Sequence, residues 1–111
     1  MGKEIGILGA GGWGTTLSIL LSKKKYKVVL WEVFPEYAEI LKKKRENIYY
    51  LPGIKIPPDI NITSDLKIVM RSSSLIIAIP SRYFRGIVKR MKKFYAGQPL
   101  LIGTKGLEIK T

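Results

Sequence analysis

The chain has 111 residues, 46% hydrophobic and 25% charged, and a net charge of +12 at neutral pH. That length and balance fit one domain, spanning 1–111, with a genuine core rather than a disordered segment or a two-domain enzyme. Cysteine and histidine are both absent, which excludes disulfides, thiol nucleophiles, Ser-His and Cys-His catalytic pairs and the commonest zinc ligands; no metal site is expected.

Strand-like sequence begins almost directly after Met1, leaving no room for a signal peptide, and no apolar run is long enough to cross a bilayer. A cytoplasmic location without membrane insertion is the expectation. Residues 4–8 (EIGIL) form a short apolar run suited to a buried parallel strand. Behind it, Trp13, Leu17, Leu20 and Leu21 fall at helical spacing, and the pattern stops at Ser22 and three lysines. Residues 28–31 (VVLW) are a second buried strand. Pro35 then opens a helix with Tyr37, Ile40 and Leu41 on one face. The segment 47–58, punctuated by Pro52, Gly53, Pro57 and Pro58, is expected to be a loop.

A brief strand is expected over 60–63, followed by a short helix capped at Ser64-Asp65 and running to Met70. Residues 75–79 (LIIAI) are the clearest strand, ended by Pro80. Phe84, Ile87, Val88, Met91 and Phe94 then mark an amphipathic helix over 81–94, and 100–102 form a last strand. Strict β-α alternation of this kind implies a Rossmann-type doubly wound α/β fold, a mainly parallel sheet with helices on both faces and strand order 3-2-1-4-5. The basic clusters at 23–25, 42–45 and 89–93 sit near predicted helix ends, where cations suit the negative end of the dipole. A nucleic-acid partner, which needs its cations gathered on one face, is therefore not expected.

Gly9-Ala10-Gly11-Gly12-Trp13-Gly14 fits G-x-G-x-x-G, and it stands directly after a strand and opens a helix. In that context Gly9 permits the tight turn, Gly11 lets a pyrophosphate approach the backbone, and Gly14 lets the helix pack closely on the sheet. The helix-start amides and the positive dipole end would hold the phosphates. Gly12 and Trp13 lie where they would touch the cofactor, although Trp13 also suits the core face of the first helix. Glu32 ends the second strand, where a carboxylate accepts hydrogen bonds from the adenosine ribose and repels a 2′-phosphate, favouring NAD over NADP. The competing reading of Glu32 is an ordinary exposed acid. Pro80 and Ser81 close the fourth strand beside the expected switch point, where Ser81 would meet the nicotinamide half or simply cap a helix. Lys105 follows the fifth strand on the same edge, suited to a substrate phosphate or carbonyl oxygen, but on a lysine-rich chain position alone says little.

GAGGWGTTL, VVLWE, NIYYLPGIKIP, IIAIPSRYFR and GTKGLE, in this order and spacing, resemble the bacterial-type NAD(P)-dependent glycerol-3-phosphate dehydrogenases. The resemblance covers nearly the whole chain. It implies an oxidoreductase that interconverts sn-glycerol 3-phosphate and dihydroxyacetone phosphate by hydride transfer and feeds glycerophospholipid synthesis. It also implies that the glycine loop with Gly12 and Trp13 meets the pyrophosphate, that Lys105 contacts both cofactor and substrate, and that the parent enzyme is a homodimer. Two departures bear on the cofactor. Gly12 stands where the family often has serine, and Val33 where it often has an arginine suited to a 2′-phosphate, so NADH is expected over NADPH. The family's lysine base belongs to a helical domain beyond Thr111. The 111 residues alone are therefore expected to be monomeric and to bind dinucleotide without turnover, and no catalytic residue is assigned within them. The alternative is a stand-alone NAD-sensing module, which would have no evident use for a substrate-anchoring lysine.

Overall fold

The computed structural model of the protein describes residues 3–103. Five strands form one parallel sheet: β1 (Glu4–Leu8), β2 (Lys27–Trp31), β5 (Asn61–Thr63), β6 (Ser74–Ile77) and β7 (Leu100–Ile102). Their order is β5-β2-β1-β6-β7, which is the 3-2-1-4-5 order expected for the five sheet strands in sequence. β1 is central, paired with β2 on one side (Gly6 opposite Val29) and β6 on the other (Gly6 opposite Leu75).

Strand alternation divides the core in two. Ile7, Val28 and Leu30 face one layer with Ile19, Tyr37, Ala38 and Leu41, from α1 (Gly12–Lys23) and α2 (Pro35–Lys44). Leu8, Val29, Trp31, Leu75 and Ile77 face the other with Leu66, Val69, Ile87 and Met91, from α3 (Leu66–Val69) and α4 (Ser81–Met91). Over β1, β2 and β6 both sheet faces are covered, which is why these strands read as continuous apolar runs, while the edge strand β7 is exposed at Leu100, Leu101 and Ile102. Asp65 caps α3 by accepting the Lys67 amide at 3.0 Å.

Two expectations about local structure are corrected. The first helix does not bury Trp13 and Leu20, which are 38% and 50% exposed. Its inward face is Gly14, Thr15, Ser18, Ile19 and Ser22. Small residues there allow a close approach to the sheet, and Ser18 satisfies its hydroxyl by donating to the Gly14 carbonyl at 2.8 Å. The segment expected to be a loop contains an antiparallel hairpin of β3 (Glu46–Asn47) and β4 (Leu51–Lys55), pairing Asn47 with Leu51 and Glu46 with Lys55. Gly53 adopts φ +83° within it, and its amide donates to the Glu46 carboxylate at 2.9 Å. Among the described residues no helix is long and apolar enough to cross a membrane.

Candidate functional site

After β1 the chain turns at Gly9, whose φ of +121° is a left-handed conformation that side chains resist. A β-carbon there would also lie 2.5 Å from the Ala78 carbonyl oxygen. The Gly9 amide donates to the Trp31 carbonyl at 3.0 Å, and the Ala78 amide donates to the Leu8 carbonyl at 2.8 Å. The glycine turn is thus wedged between the carboxyl ends of β2 and β6, where the chain's path across the sheet reverses. Ligands enter open α/β sheets at such a point.

The glycines divide into two kinds. A β-carbon on Gly14 would overlap the Gly9 carbonyl group and press Ile7 Cγ2 at 3.4 Å, so Gly14 permits helix–sheet packing. A β-carbon on Gly11 would meet nothing within 4 Å. Gly11 is the N-cap of α1 and supplies no side-chain cap, so the amides of the first turn are left for another acceptor. Beside them, a β-carbon on Gly12 would lie 3.0 Å from the Tyr50 carbonyl oxygen, so the β3–β4 hairpin walls this side of the turn. Uncapped amides, a dipole end and open space above Gly11 fit an anionic diphosphate. Trp13, half exposed at the start of α1, has its indole Nε1 beside Gly103 at the end of β7.

Glu32 follows β2 and is 7% exposed, so the reading as an ordinary surface acid does not hold. Its Oε2 accepts the Phe34 amide at 3.0 Å, and Oε1 makes no hydrogen bond among the described residues. Burial raises the carboxyl above its ordinary value of 4.5, and the Phe34 amide lowers it in part. A raised folded-state pKa contributes stability that is full below pH 4.5 and lost as the pH rises through the folded value. Relative to Glu32→Gln, which cannot ionise, the wild-type melting temperature is expected to decline across that window and then run parallel. A constant offset between the two profiles from acid to neutral pH would contradict this.

Pro80 is the N-cap of α4 and Ser81 its first residue, both exposed on the carboxyl edge of the sheet. Ser81 makes no capping hydrogen bond, which removes the simple helix-cap account of it. Gly9, Gly11, Glu32 and Pro80 lie in the turns on the sheet's carboxyl edge, and Gly12, Trp13, Gly14 and Ser81 in the first turns of the helices that leave it. Lys105 lies outside the described residues. Sequence reasoning missed Asn47, fully buried in the hairpin, whose side chain reaches the glycine turn. Nothing in a Pro- and Gly-rich segment signals that one asparagine within it is interior.

The family described as the N-terminus of NAD-dependent glycerol-3-phosphate dehydrogenase matches residues 4–111. The chain belongs to this family. Glycerol-3-phosphate dehydrogenase [NAD(P)+] of Pelotomaculum thermopropionicum is 38% identical over 110 residues, covering 97% of this chain and 32% of that protein. The crystal structure of glycerol-3-phosphate dehydrogenase from Coxiella burnetii superposes with a TM-score of 0.87 at 32% identity, over 94% of this chain and 33% of the other. The glycerol-3-phosphate dehydrogenase of Saccharomyces cerevisiae shares the fold, with a TM-score of 0.82 at 22% identity over 95% of this chain and 34% of that one. The chain thus spans about a third of the length of the glycerol-3-phosphate dehydrogenases it matches.

Proposed function

We propose that the chain is the dinucleotide-binding part of an oxidoreductase that interconverts sn-glycerol 3-phosphate and dihydroxyacetone phosphate, in the cytoplasm, feeding glycerophospholipid synthesis. The observation that carries this is the open, uncapped start of α1 over Gly11, set at the sheet's switch point in a chain of this family. NAD(H), when bound, supplies the hydride acceptor or donor. The residues of this chain bind and orient it. The first-turn amides of α1 hold the pyrophosphate, Gly9 and Gly14 fix the turn, and Gly12 and Trp13 border the cofactor.

Glu32 accepts the adenosine ribose hydroxyls, with Oε1 the free acceptor, and its charge opposes a 2′-phosphate. Val33 next to it supplies no cation to offset that opposition, so NAD is preferred to NADP. Pro80 and Ser81 border the nicotinamide half. Lys105 anchors the substrate phosphate and polarises the reacting carbonyl, the electrostatic service such a reduction requires. The family resemblance further implies a homodimeric parent enzyme. A stand-alone sensor is disfavoured, because the chain's relatives are dehydrogenases over all of its matched length. In the full-length protein, adding dihydroxyacetone phosphate is expected to drive NADH oxidation faster than NADPH oxidation, and Lys105→Ala is expected to abolish it. No oxidation of either cofactor by the wild-type protein would overturn the proposal.

A further inference from the structure

Asn47 belongs to the β3–β4 hairpin, outside the parallel sheet, yet it is 0% exposed. Its Nδ2 donates to the Ala10 carbonyl at 2.7 Å and to Thr15 Oγ1 at 2.8 Å. Its Oδ1 accepts the Tyr37 hydroxyl and, at 3.3 Å, the Tyr50 amide. Every donor and acceptor of the amide is therefore used. Ala10 and Thr15 stand on the two limbs of the glycine turn, and the amides of Gly11, Gly12, Trp13 and Gly14 lie between them. Thr16 and Ser18 bond back within α1 itself. Asn47 alone among the described residues brings a side-chain hydrogen bond to this turn from another element.

A turn built of glycines has no side chains to hold its shape and carries the largest conformational entropy. Bracing from outside is the remaining way to keep its amides convergent. We propose that Asn47 is a positioning residue for diphosphate binding. It clamps both limbs of the turn, so the affinity for the anion depends on a side chain that does not touch it. Only an amide serves here, because Ala10 presents an acceptor, and an aspartate in its place would set oxygen against oxygen beside the anion site.

This inference rests on the dinucleotide reading of the glycine turn, and the test separates the two. Calorimetry would compare adenosine, which lacks phosphate, with ADP, which carries the diphosphate, on folded wild-type and variant protein. Asn47→Asp is expected to weaken ADP about 30-fold, the scale of losing one hydrogen bond from the misplaced turn amides to the charged diphosphate, while adenosine stays within about twofold. Thr15→Val, which removes one limb's acceptor, is expected to weaken ADP about tenfold, and Tyr37→Phe, which keeps both Nδ2 bonds, by less than about threefold. Unchanged ADP affinity in Asn47→Asp, or equal losses for ADP and adenosine, would overturn the inference. If Asn47→Asp does not fold, Thr15→Val decides by the same criterion. Failure of the wild-type protein to bind ADP or NADH would instead sink the dinucleotide reading, and this inference with it.

Discussion

Gly14→Ala is expected to lower the melting temperature by about 8–16 °C, the shift that a net loss of about 2 kcal/mol produces in a domain of this size. The added β-carbon would overlap the Gly9 carbonyl oxygen and lie 3.0 Å from its carbon. Both are backbone atoms of a turn already held at φ +121°, so neither swings aside as a flexible side chain would. Relief requires lifting α1 from the sheet, at a steric cost of about 3 kcal/mol. Alanine's better helix propensity returns about 1 kcal/mol, so the clash wins. Gly86→Ala is the control: it lies within α4, and its β-carbon would meet nothing within 4 Å. There only propensity acts, and a gain of up to about 1 kcal/mol is expected. Thermal unfolding followed by circular dichroism reads both. An unchanged melting temperature for Gly14→Ala would refute the close helix–sheet contact.

Gly11→Ala is expected to do the opposite, sparing the fold and removing the ligand. Gly11 has φ −79° and ψ −168°, a conformation open to any residue, and its β-carbon would enter free space. Stability should change by no more than about 1 kcal/mol, the scale of replacing glycine by alanine at an N-cap. The methyl would occupy the space a pyrophosphate needs against the backbone. NADH affinity is therefore expected to fall about 100-fold, the scale of losing one strong hydrogen bond between the anion and the turn amides. A turn that served packing alone would give the same stability pattern, costly at Gly14 and neutral at Gly11, but the wild-type protein would have no NADH affinity for Gly11→Ala to remove.

The centre of the parallel sheet was legible because β1, β2 and β6 are covered on both faces and so appear as continuous apolar runs between glycine and proline punctuation, whereas β7, equally apolar in sequence, is exposed at all three of its residues. The glycine fingerprint was legible for a different reason: its spacing reflects backbone conformations that few other residues adopt. The inward face of α1 was not, because close packing at Gly14 selects Thr15 and Ser18 for smallness, leaving Trp13 and Leu20 to solvent. Periodicity of large apolar residues points the wrong way in such a helix. The hairpin was hidden because β3 is two residues long and β4 contains Pro52 and Gly53, both of which argue for loop. Asn47 was hidden because its partners Ala10 and Thr15 lie 37 and 32 positions away. Glu32 was placed correctly at the end of its strand, but its burial depends on the neighbouring chain at Phe34 and Thr63, whose carbonyl accepts the Glu32 amide at 2.9 Å.

The most direct test of the central claim, that the glycine turn holds a dinucleotide, is a titration of the wild-type protein with NADH and with NADPH followed by Trp13 fluorescence. Trp13 is half exposed at the head of α1, whereas Trp31 is fully buried and supplies a constant background. Saturable quenching by NADH, tighter than by NADPH, is the predicted result. NADPH binding as tightly as NADH would contradict the role given to Glu32, and binding of neither would contradict the claim itself.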